Sequence, residues 1–288
     1  MIDKKILILG SSGMIGSNLF KILFDNGYEV YGQINRNQIK NYFDKKYHKN
    51  TVINKNIFDF NELENMIQKL KPDFIINCVG IIKHNKNINN NLDVLMCNSI
   101  LPHQLAVRCK IFNFRLINIS TDCVFSGANG NYTEKSIPDA NDLYGKSKYL
   151  GEVLENKYVL NIRTSIIAKE LFKKENLLEW FLIQKKSIKG YKNAFFSGLT
   201  AYELVFILQK YFFVNFKYGL FHVGGNIISK YKLLKIISNI YEKKIDIIPD
   251  YKIKIDRSLN SKKFYSITGY KCKSWETLIS QMQRNDLN

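Results

Sequence analysis

Proline is scarce: four in 288 residues leave no stretch to serve as a Pro-rich linker. With 45% apolar and 24% charged residues the chain is also neither disordered nor collagen-like. Cysteine is sparse and has no pairing pattern. The five stand at 78, 97, 109, 123 and 272 with no C-x-x-C, which argues against a disulfide framework or a structural zinc site and for a reducing cytoplasm. Long apolar runs are missing. A spanning helix needs ~20 such residues, whereas Leu204–Val214 is interrupted by Gln209 and Lys210, and Ile6–Leu9 is too short for a signal peptide. Arginine is the last shortage. The net charge is +18, yet 37 of the 43 cations are lysine, dispersed singly or in pairs. Proteins that read base edges or clamp phosphates lean on arginine's planar fork. The pattern therefore argues against nucleic acid as a partner and leaves a general attraction for small anions.

What is present is a rhythm. The length predicts two domains or one large one, and no hinge-like linker or internal repeat divides it. Ile6–Leu9 is a continuous apolar run of the kind a strand buried on both faces shows. A helical pattern follows to about Asn26, then strands at Tyr28–Ile34, Val52–Ile53, Phe74–Val79, Arg115–Ser120 and Val159–Arg163. Helices are expected over Glu62–Leu70, Val94–Lys110 (kinked at Pro102) and Asp142–Asn156. Strands alternating with helices at this spacing predict an α/β fold, a Rossmann-type doubly wound parallel sheet. After about residue 165 the rhythm loosens, with helices at Leu177–Gln184, Ala201–Val214, Lys230–Tyr241 and Trp275–Arg284 and a strand at Leu220–Val223. The expected division is a nucleotide-binding domain over 1–165 and a smaller C-terminal α/β domain over 166–288, some of which, around 195–225, returns to the first.

Three constellations carry chemistry. Gly10-Ser11-Ser12-Gly13-Met14-Ile15-Gly16 directly follows a buried-type strand and opens a helix. Gly10 permits the tight turn, Gly13 lets backbone approach a pyrophosphate, and Gly16 lets helix and strand pack. The helix N-terminus offers N–H groups to the phosphates. The alternative is a glycine-rich turn without a ligand. The second strand ends Gly32-Gln33-Ile34-Asn35-Arg36, with no acid to take a ribose 2′-OH. Arg36 can pair with a 2′-phosphate, favouring NADP(H) over NAD(H), or else simply faces solvent. Third, Ser120-Thr121-Asp122 is followed 23 residues after Thr121 by Tyr144-Gly145-Lys146-Ser147-Lys148. Tyr-x-x-x-Lys sets both side chains on one helix face. A nearby ammonium is expected to lower the phenol's pKa, and Thr121 at a strand end can hold a carbonyl against Tyr144 while a cofactor delivers hydride.

On these residues, together with Asn77–Gly80 (NCVG) and Ser120–Gly127 (STDCVFSG), the chain resembles the extended short-chain dehydrogenase/reductases, closest to the dTDP-4-dehydrorhamnose reductase-like, sugar-nucleotide-binding branch. Later echoes are Phe196–Thr200, His222–Gly225 and Arg257–Ser261. The resemblance implies NADPH-dependent reduction of a 4-keto-6-deoxy nucleotide sugar in surface-polysaccharide or nucleotide-sugar biosynthesis, with the C-terminal domain binding substrate. It makes Thr121, Tyr144 and Lys148 the catalytic set. Cofactor contacts would come from Gly10, Ser12, Gly13, Met14, Ile15, Gly16, Arg36, Asn56, Ile57, Cys78, Val79, Gly80, Asn98, Tyr144 and Lys148. Asn56 stands where the family usually has Asp, and Asn98 matches an Asn that supports the lysine. Substrate contacts would be Thr121, Asp122, Cys123 and Tyr144. Cys123 departs from the family's usual Tyr, a smaller group that implies a larger or differently substituted sugar, such as an N-acetylated one. Two other functions stay open: an epimerase using the same site, and a non-catalytic NADP-binding regulatory subunit. No metal and no membrane insertion are expected, and the sequence is compatible with a homodimer.

Other residues invite plain readings. His48 and His84 sit in Lys/Asn-rich loops, His103 has no second ligand at i+4, and His222 reads as a satisfied interior histidine. Lys83 to Asn91 is a polar loop, either a flap over the substrate or a tolerated insertion.

Overall fold

The apolar runs become strands because both of their faces are covered. The computed structural model describes residues 4–82, 91–172 and 175–287. In β1 (Lys5–Leu9), Ile6 and Ile8 point to one face of the sheet and pack with Leu19, Phe20 and Leu23 of α1 (Met14–Asp25). Leu7 and Leu9 point to the other and pack with Leu63, Met66 and Ile67 of α2 (Phe60–Leu70). The period-2 geometry of a strand thus feeds two cores from one run. β2 (Glu29–Ile34), β3 (Thr51–Ile53), β4 (Phe74–Asn77), β5 (Arg115–Thr121) and β6 (Val159–Thr164) join β1 in a parallel sheet. A seventh strand, β10 (Gly219–His222), closes it beside β6, giving the order β10-β6-β5-β4-β1-β2-β3. The order reverses between β1 and β4, and the crevice beyond the carboxyl ends of strands at such a switch point is where open α/β sheets bind ligands.

Two helices differ from expectation. The helix expected over Val94–Lys110 runs on past Pro102, and its irregularity precedes the proline. α3 (Asn91–Leu95) passes into a π-helical turn, Met96–Ile100, and then α4 (Leu101–Ile111). The wider turn sends the Leu101 N–H back to Met96 O, so Pro102 enters in the first turn of α4, where a missing N–H costs little. The helix expected over Asp142–Asn156 stops early, as α5 (Leu143–Leu150). Asp142 caps its start by accepting from Gly145 N, and Gly151 ends it. A Cβ on Gly151 would stand 2.0 Å from Asn98 O, so the residue after α5 has to be bare.

Beyond β7 (Ile166–Ile167) and α6 (Leu177–Ile183) lies a second sheet, of β8 (Ile188–Phe196), β11 (Ile228–Ser229) and β12 (Ile247–Asp256) in the order β11-β8-β12. Neither long strand has the signature of the first half. β8 carries lysine, glycine and asparagine, and β12 carries Pro249 and a register break between Asp250 and Lys254. Proline is tolerated there because β12 is an edge. β9 (Leu199–Thr200) pairs with β7, and α7 (Ala201–Ile207), continued by a π-helical turn at Leu208–Phe212, packs against α1. α8 (Lys230–Ile240), α9 (Lys262–Thr268) and α10 (Trp275–Leu287) complete the chain.

The three C-terminal echoes meet at one junction. Ser197 Oγ accepts from Leu259 N at 2.8 Å, Gly224 N donates to Ser261 Oγ at 3.0 Å, and Gly225 N donates to Ser197 O at 2.9 Å. They tie the second sheet to the end of β10.

Candidate active site

The glycine turn sits at the switch point, and its three glycines have three reasons to be there. Gly10 has φ +78, and a Cβ on it would stand 2.9 Å from Val79 N. A Cβ on Gly16 would stand 2.3 Å from Gly10 O. Both are required by the fold itself. Gly13 is exposed, has an ordinary extended backbone (φ −83, ψ 167), and a Cβ there would meet nothing nearer than Gly10 O at 3.4 Å. Nothing inside the protein forbids a side chain at Gly13, so its bareness leaves room for something arriving from outside. It is the N-cap of α1 and offers no side-chain cap, so the first-turn N–H groups of Met14, Ile15 and Gly16 are left for a ligand. Gln33, buried in β2, pins the turn: its Oε1 accepts from Gly10 N at 3.0 Å, and its Nε2 donates to Asn54 O at 3.1 Å. The cradle fits a dinucleotide diphosphate.

Around it, Ser12, Met14 and Ile15 are half-buried, as are Cys78 and Val79 past the end of β4, while Gly80 is exposed. Arg36 is exposed just past β2. Asn56 is exposed, with its Oδ1 accepting from Phe58 N at 3.1 Å, and Ile57 packs against the α2-side core. Of the stretch Lys83 to Asn91, Asn91 opens α3, and the rest lies outside the described residues, as does His84.

Across the crevice, β5 ends at Thr121. Its Oγ1 accepts from Cys123 N at 3.1 Å, starting a short helical turn, Asp122–Val124. Tyr144, one residue into α5, shares a hydrogen bond with the Thr121 side chain. Lys148 is buried, and its Nζ donates to Ile119 O at 2.7 Å. Lys148 also acts on Cys78, whose backbone lies 3.0 Å from where a Gly10 Cβ would be. Thr121, Tyr144, Lys148 and the glycine turn are therefore brought to one crevice.

One electrostatic expectation is corrected. The Tyr144 phenol is held above its ordinary value, not below it, with Lys148 one turn further along the same helix. Burial, then the Cys123 side chain, push that phenol above its ordinary value, and the Thr121 hydrogen bond offsets them only in part. Lys148 Nζ itself donates to Ile119 O and lies toward Cys78, Cys97 and Glu152. Burial pulls Lys148 down to about 8, against the raising effect of Glu152. Asn98 is buried in the π-helical turn. Its Oδ1 accepts from Ile81 N and its Nδ2 donates to Ile81 O and Ser147 Oγ, each at 3.0 Å. It fixes the segment after Gly80 to α5, one residue before Lys148.

Residues invisible to sequence reading complete the crevice from the second sheet. Lys230, first in α8, and Arg257, just past β12, both act on the buried Asp122 carboxyl, which burial nevertheless holds above its ordinary value. Lys230 also interacts with Cys123 and lies 3.7 Å from the centroid of the Phe196 ring, and burial pulls it down. Arg257 Nε donates to Phe125 O at 2.9 Å. Gly127 (φ +90) and Gly130 (φ +69) let the 125–132 loop pass beneath Ile255 and Asp256, whose side chains a Cβ would strike at 2.3 and 2.2 Å. Only the Arg257–Ser261 echo hinted at this; nothing marks Lys230 in the sequence.

Of the remaining histidines, His48 is half-buried with Nε2 3.0 Å from Phe43 O, and His103 Nε2 lies 2.8 Å from Leu150 O. Among the described residues no cluster of His, Cys, Asp or Glu could hold a metal ion, and no helix is long and apolar enough to cross a membrane.

A parallel sheet with a glycine turn at its switch point, Tyr-x-x-x-Lys on the helix after β5 and a second, smaller α/β sheet unit define an extended short-chain dehydrogenase/reductase. Within that class the chain belongs to the family described as the RmlD substrate binding domain, which matches residues 4–286. A solved dTDP-4-dehydrorhamnose reductase from Bacillus anthracis, in complex with NADP, superposes with a TM-score of 0.78 at 21% identity, covering 98% of this chain and 99% of that one. The Bordetella bronchiseptica enzyme WbmG, in complex with NAD and UDP, gives a TM-score of 0.76 at 17% identity over 99% and 95%. Among curated relatives, methionine adenosyltransferase 2 subunit beta of Danio rerio is 27% identical over 154 residues, 52% of this chain and 42% of that protein. The match thus spans under half the length of that relative.

Proposed function

We propose that this chain is a reductase of a nucleotide-activated keto deoxy sugar, using a nicotinamide dinucleotide with NADPH preferred. The observation that carries the reading is the convergence of the Thr121–Tyr144 pair and Lys148 on the crevice that holds the open Gly13 cradle. Gly10, Ser12, Gly13, Met14, Ile15 and Gly16 would hold the diphosphate, Arg36 the 2′-phosphate, Asn56 and Ile57 the adenine, and Cys78, Val79, Gly80 and Lys148 the nicotinamide half. When bound in reduced form, the dinucleotide supplies hydride.

The chain's own part is proton handling and orientation. A phenol pushed upward by burial is fully protonated at neutral pH, so Tyr144 holds a proton where a substrate carbonyl oxygen would bind, and releases it as negative charge grows there. The Thr121 hydroxyl supplies the second contact to that oxygen. Lys230 and Arg257 bring positive charge to the mouth beside Asp122, which suits the diphosphate of a sugar nucleotide and lets remote binding energy position a small keto group. Cys123, half-buried between Thr121 and Lys230, leaves room for a substituent on the sugar.

The test is Tyr144→Phe, assayed by NADPH consumption over a panel of nucleotide 4-keto sugars. Turnover should fall about 10²-fold or more, with NADPH binding within about twofold of wild type. Full turnover on every active sugar sinks the mechanism. The likeness to a protein named as a subunit favours one other reading, a non-catalytic dinucleotide-binding subunit. That reading predicts NADPH binding without consumption on the whole panel.

A further inference from the structure

Behind Lys148 lies a buried set of charges with no part in the chemistry above. Arg163 of β6, 2% exposed, grips Glu152 with both edges of its guanidinium: Nε donates to Oε1 at 2.8 Å and Nη2 to Oε2 at 2.7 Å. The Glu152 side chain is fully buried, and Ser120 Oγ donates to its Oε1 at 2.6 Å. The remaining guanidinium nitrogen, Nη1, lies 3.2 Å from His222 Nε2. His222 Nδ1 lies 2.9 Å from the Tyr132 carbonyl, which can only accept. Nδ1 therefore carries the proton and Nε2 accepts from Arg163, and burial keeps the ring neutral, pulled down to about 3. Each guanidinium nitrogen thus has a partner, Nε and Nη2 on Glu152 and Nη1 on His222. An ion pair in such a place seldom adds stability over apolar groups of the same shape, which points to a task beyond packing.

The geometry names the task. Glu152 lies four residues after Lys148, where the chain has turned out of α5 at Gly151. The residue it holds, Ser120, stands between Ile119, whose carbonyl takes the Lys148 Nζ, and Thr121, the partner of Tyr144. We propose that Glu152 is a positioning residue for the site: held by Arg163 and Ser120, its carboxylate is the fixed counter-charge of Lys148 and anchors the end of β5 on which both Lys148 and Tyr144 depend. The groups facing Lys148 are Glu152, Cys78 past β4 and Cys97 in the π-helical turn. Burial pushes both thiols up, to about 12 and about 11, so below that range neither carries charge. Among the described residues, Glu152 is then the negative charge that opposes the burial of Lys148. Arg163 faces Glu152, and the neutral His222 faces Arg163.

The proposal rests on the reductase reading for its kinetic arm alone. The direct readout is the titration of Lys148 by NMR of protein carrying 13Cε-lysine, its line assigned by loss in Lys148→Arg. In wild type the midpoint should lie near 8. Glu152→Gln should lower it by about one pH unit or more, a tenfold change in the protonation constant. Should the unpaired guanidinium prevent folding, Glu152→Gln with Arg163→Met removes both charges and should lower the midpoint by less, because the repulsion of the guanidinium goes with it. Glu152→Asp, which keeps the charge, should restore it toward wild type, a rescue that a space-filling role would not produce. A midpoint unmoved in either folded neutral variant overturns the proposal. If the midpoint moves but wild type turns over no keto sugar, the reductase reading fails and the role of Glu152 stands. If wild type is active and the midpoint holds, only the role of Glu152 fails.

Discussion

Gly13→Ala separates the ligand's demand on the glycine turn from the fold's. The new methyl would meet nothing closer than 3.4 Å, at Gly10 O, and the φ of −83 suits alanine. Replacing glycine where the backbone already tolerates a side chain gains about 0.4–1 kcal/mol by restricting the unfolded chain, while alanine is a poorer N-cap by a similar amount. The two nearly cancel, so Tm should move by no more than about 2–4 °C. Binding should not be spared. The methyl stands on an open side of the turn, where a diphosphate would come within hydrogen-bond reach of the α1 N–H groups. Losing one such charge-assisted bond costs about 1.5–3 kcal/mol, roughly tenfold to a hundredfold in Kd. Gly16→Ala is the contrast. Its methyl would lie 2.3 Å from Gly10 O, so the turn must shift and the fold itself should weaken. Calorimetric titration with NADPH and NADH, beside thermal melts of both variants, checks each half. Wild-type affinity in Gly13→Ala would show that no diphosphate occupies the cradle, and a large drop in its Tm would show that the glycine serves the fold.

Arg36→Ala should weaken NADPH binding about tenfold or more and leave NADH unchanged; equal loss for both, or none for either, removes the argument for a 2′-phosphate contact. Lys148 is charged below about 8 and neutral above it, so kcat/KM should fall as pH rises through that value, while Tyr144, held higher, sets no limit there. A pH–rate profile flat to pH 10 would contradict this. Glu203 is fully buried and receives Lys273 Nζ at 2.7 Å and Tyr270 OH at 2.8 Å, tying the approach to α10 onto α7. Glu203→Ala should therefore cost about 3–5 kcal/mol, read as a lower urea midpoint, and a shift worth under about 1 kcal/mol would mean that the tie is slack.

The parts of this molecule that sequence reveals are those where a local pattern and the tertiary environment agree. Ile6–Leu9 and the runs around residues 75, 117 and 160 announce strands because both their faces are buried. Gly10, Gly13 and Gly16, or Tyr144 and Lys148, stand out because regular elements turn their spacing into direction. β8 and β12 stayed hidden because they are half-exposed, one laced with polar residues and the other carrying Pro249 and a register break. Lys230 and Arg257 stayed hidden for another reason. They reach Asp122 from more than 100 residues away through a second sheet, a contact that no short-range spacing encodes. The state of the Tyr144 phenol was illegible because burial, which spacing does not report, outweighs the other influences on it.

The wide turn at Met96–Ile100 sets a limit on how this gene can vary. Removing one codon there would give an ordinary helix that any propensity scale would favour. Yet each residue lost rotates the remainder of the helix by about 100°. Leu105, Ala106 and Cys109 would swing out of the interior, and the Asn98 amide would lose its register with Ser147. Along this segment the locally easier conformation is the globally lethal one, so single-codon deletions should be tolerated far worse than substitutions at the same sites.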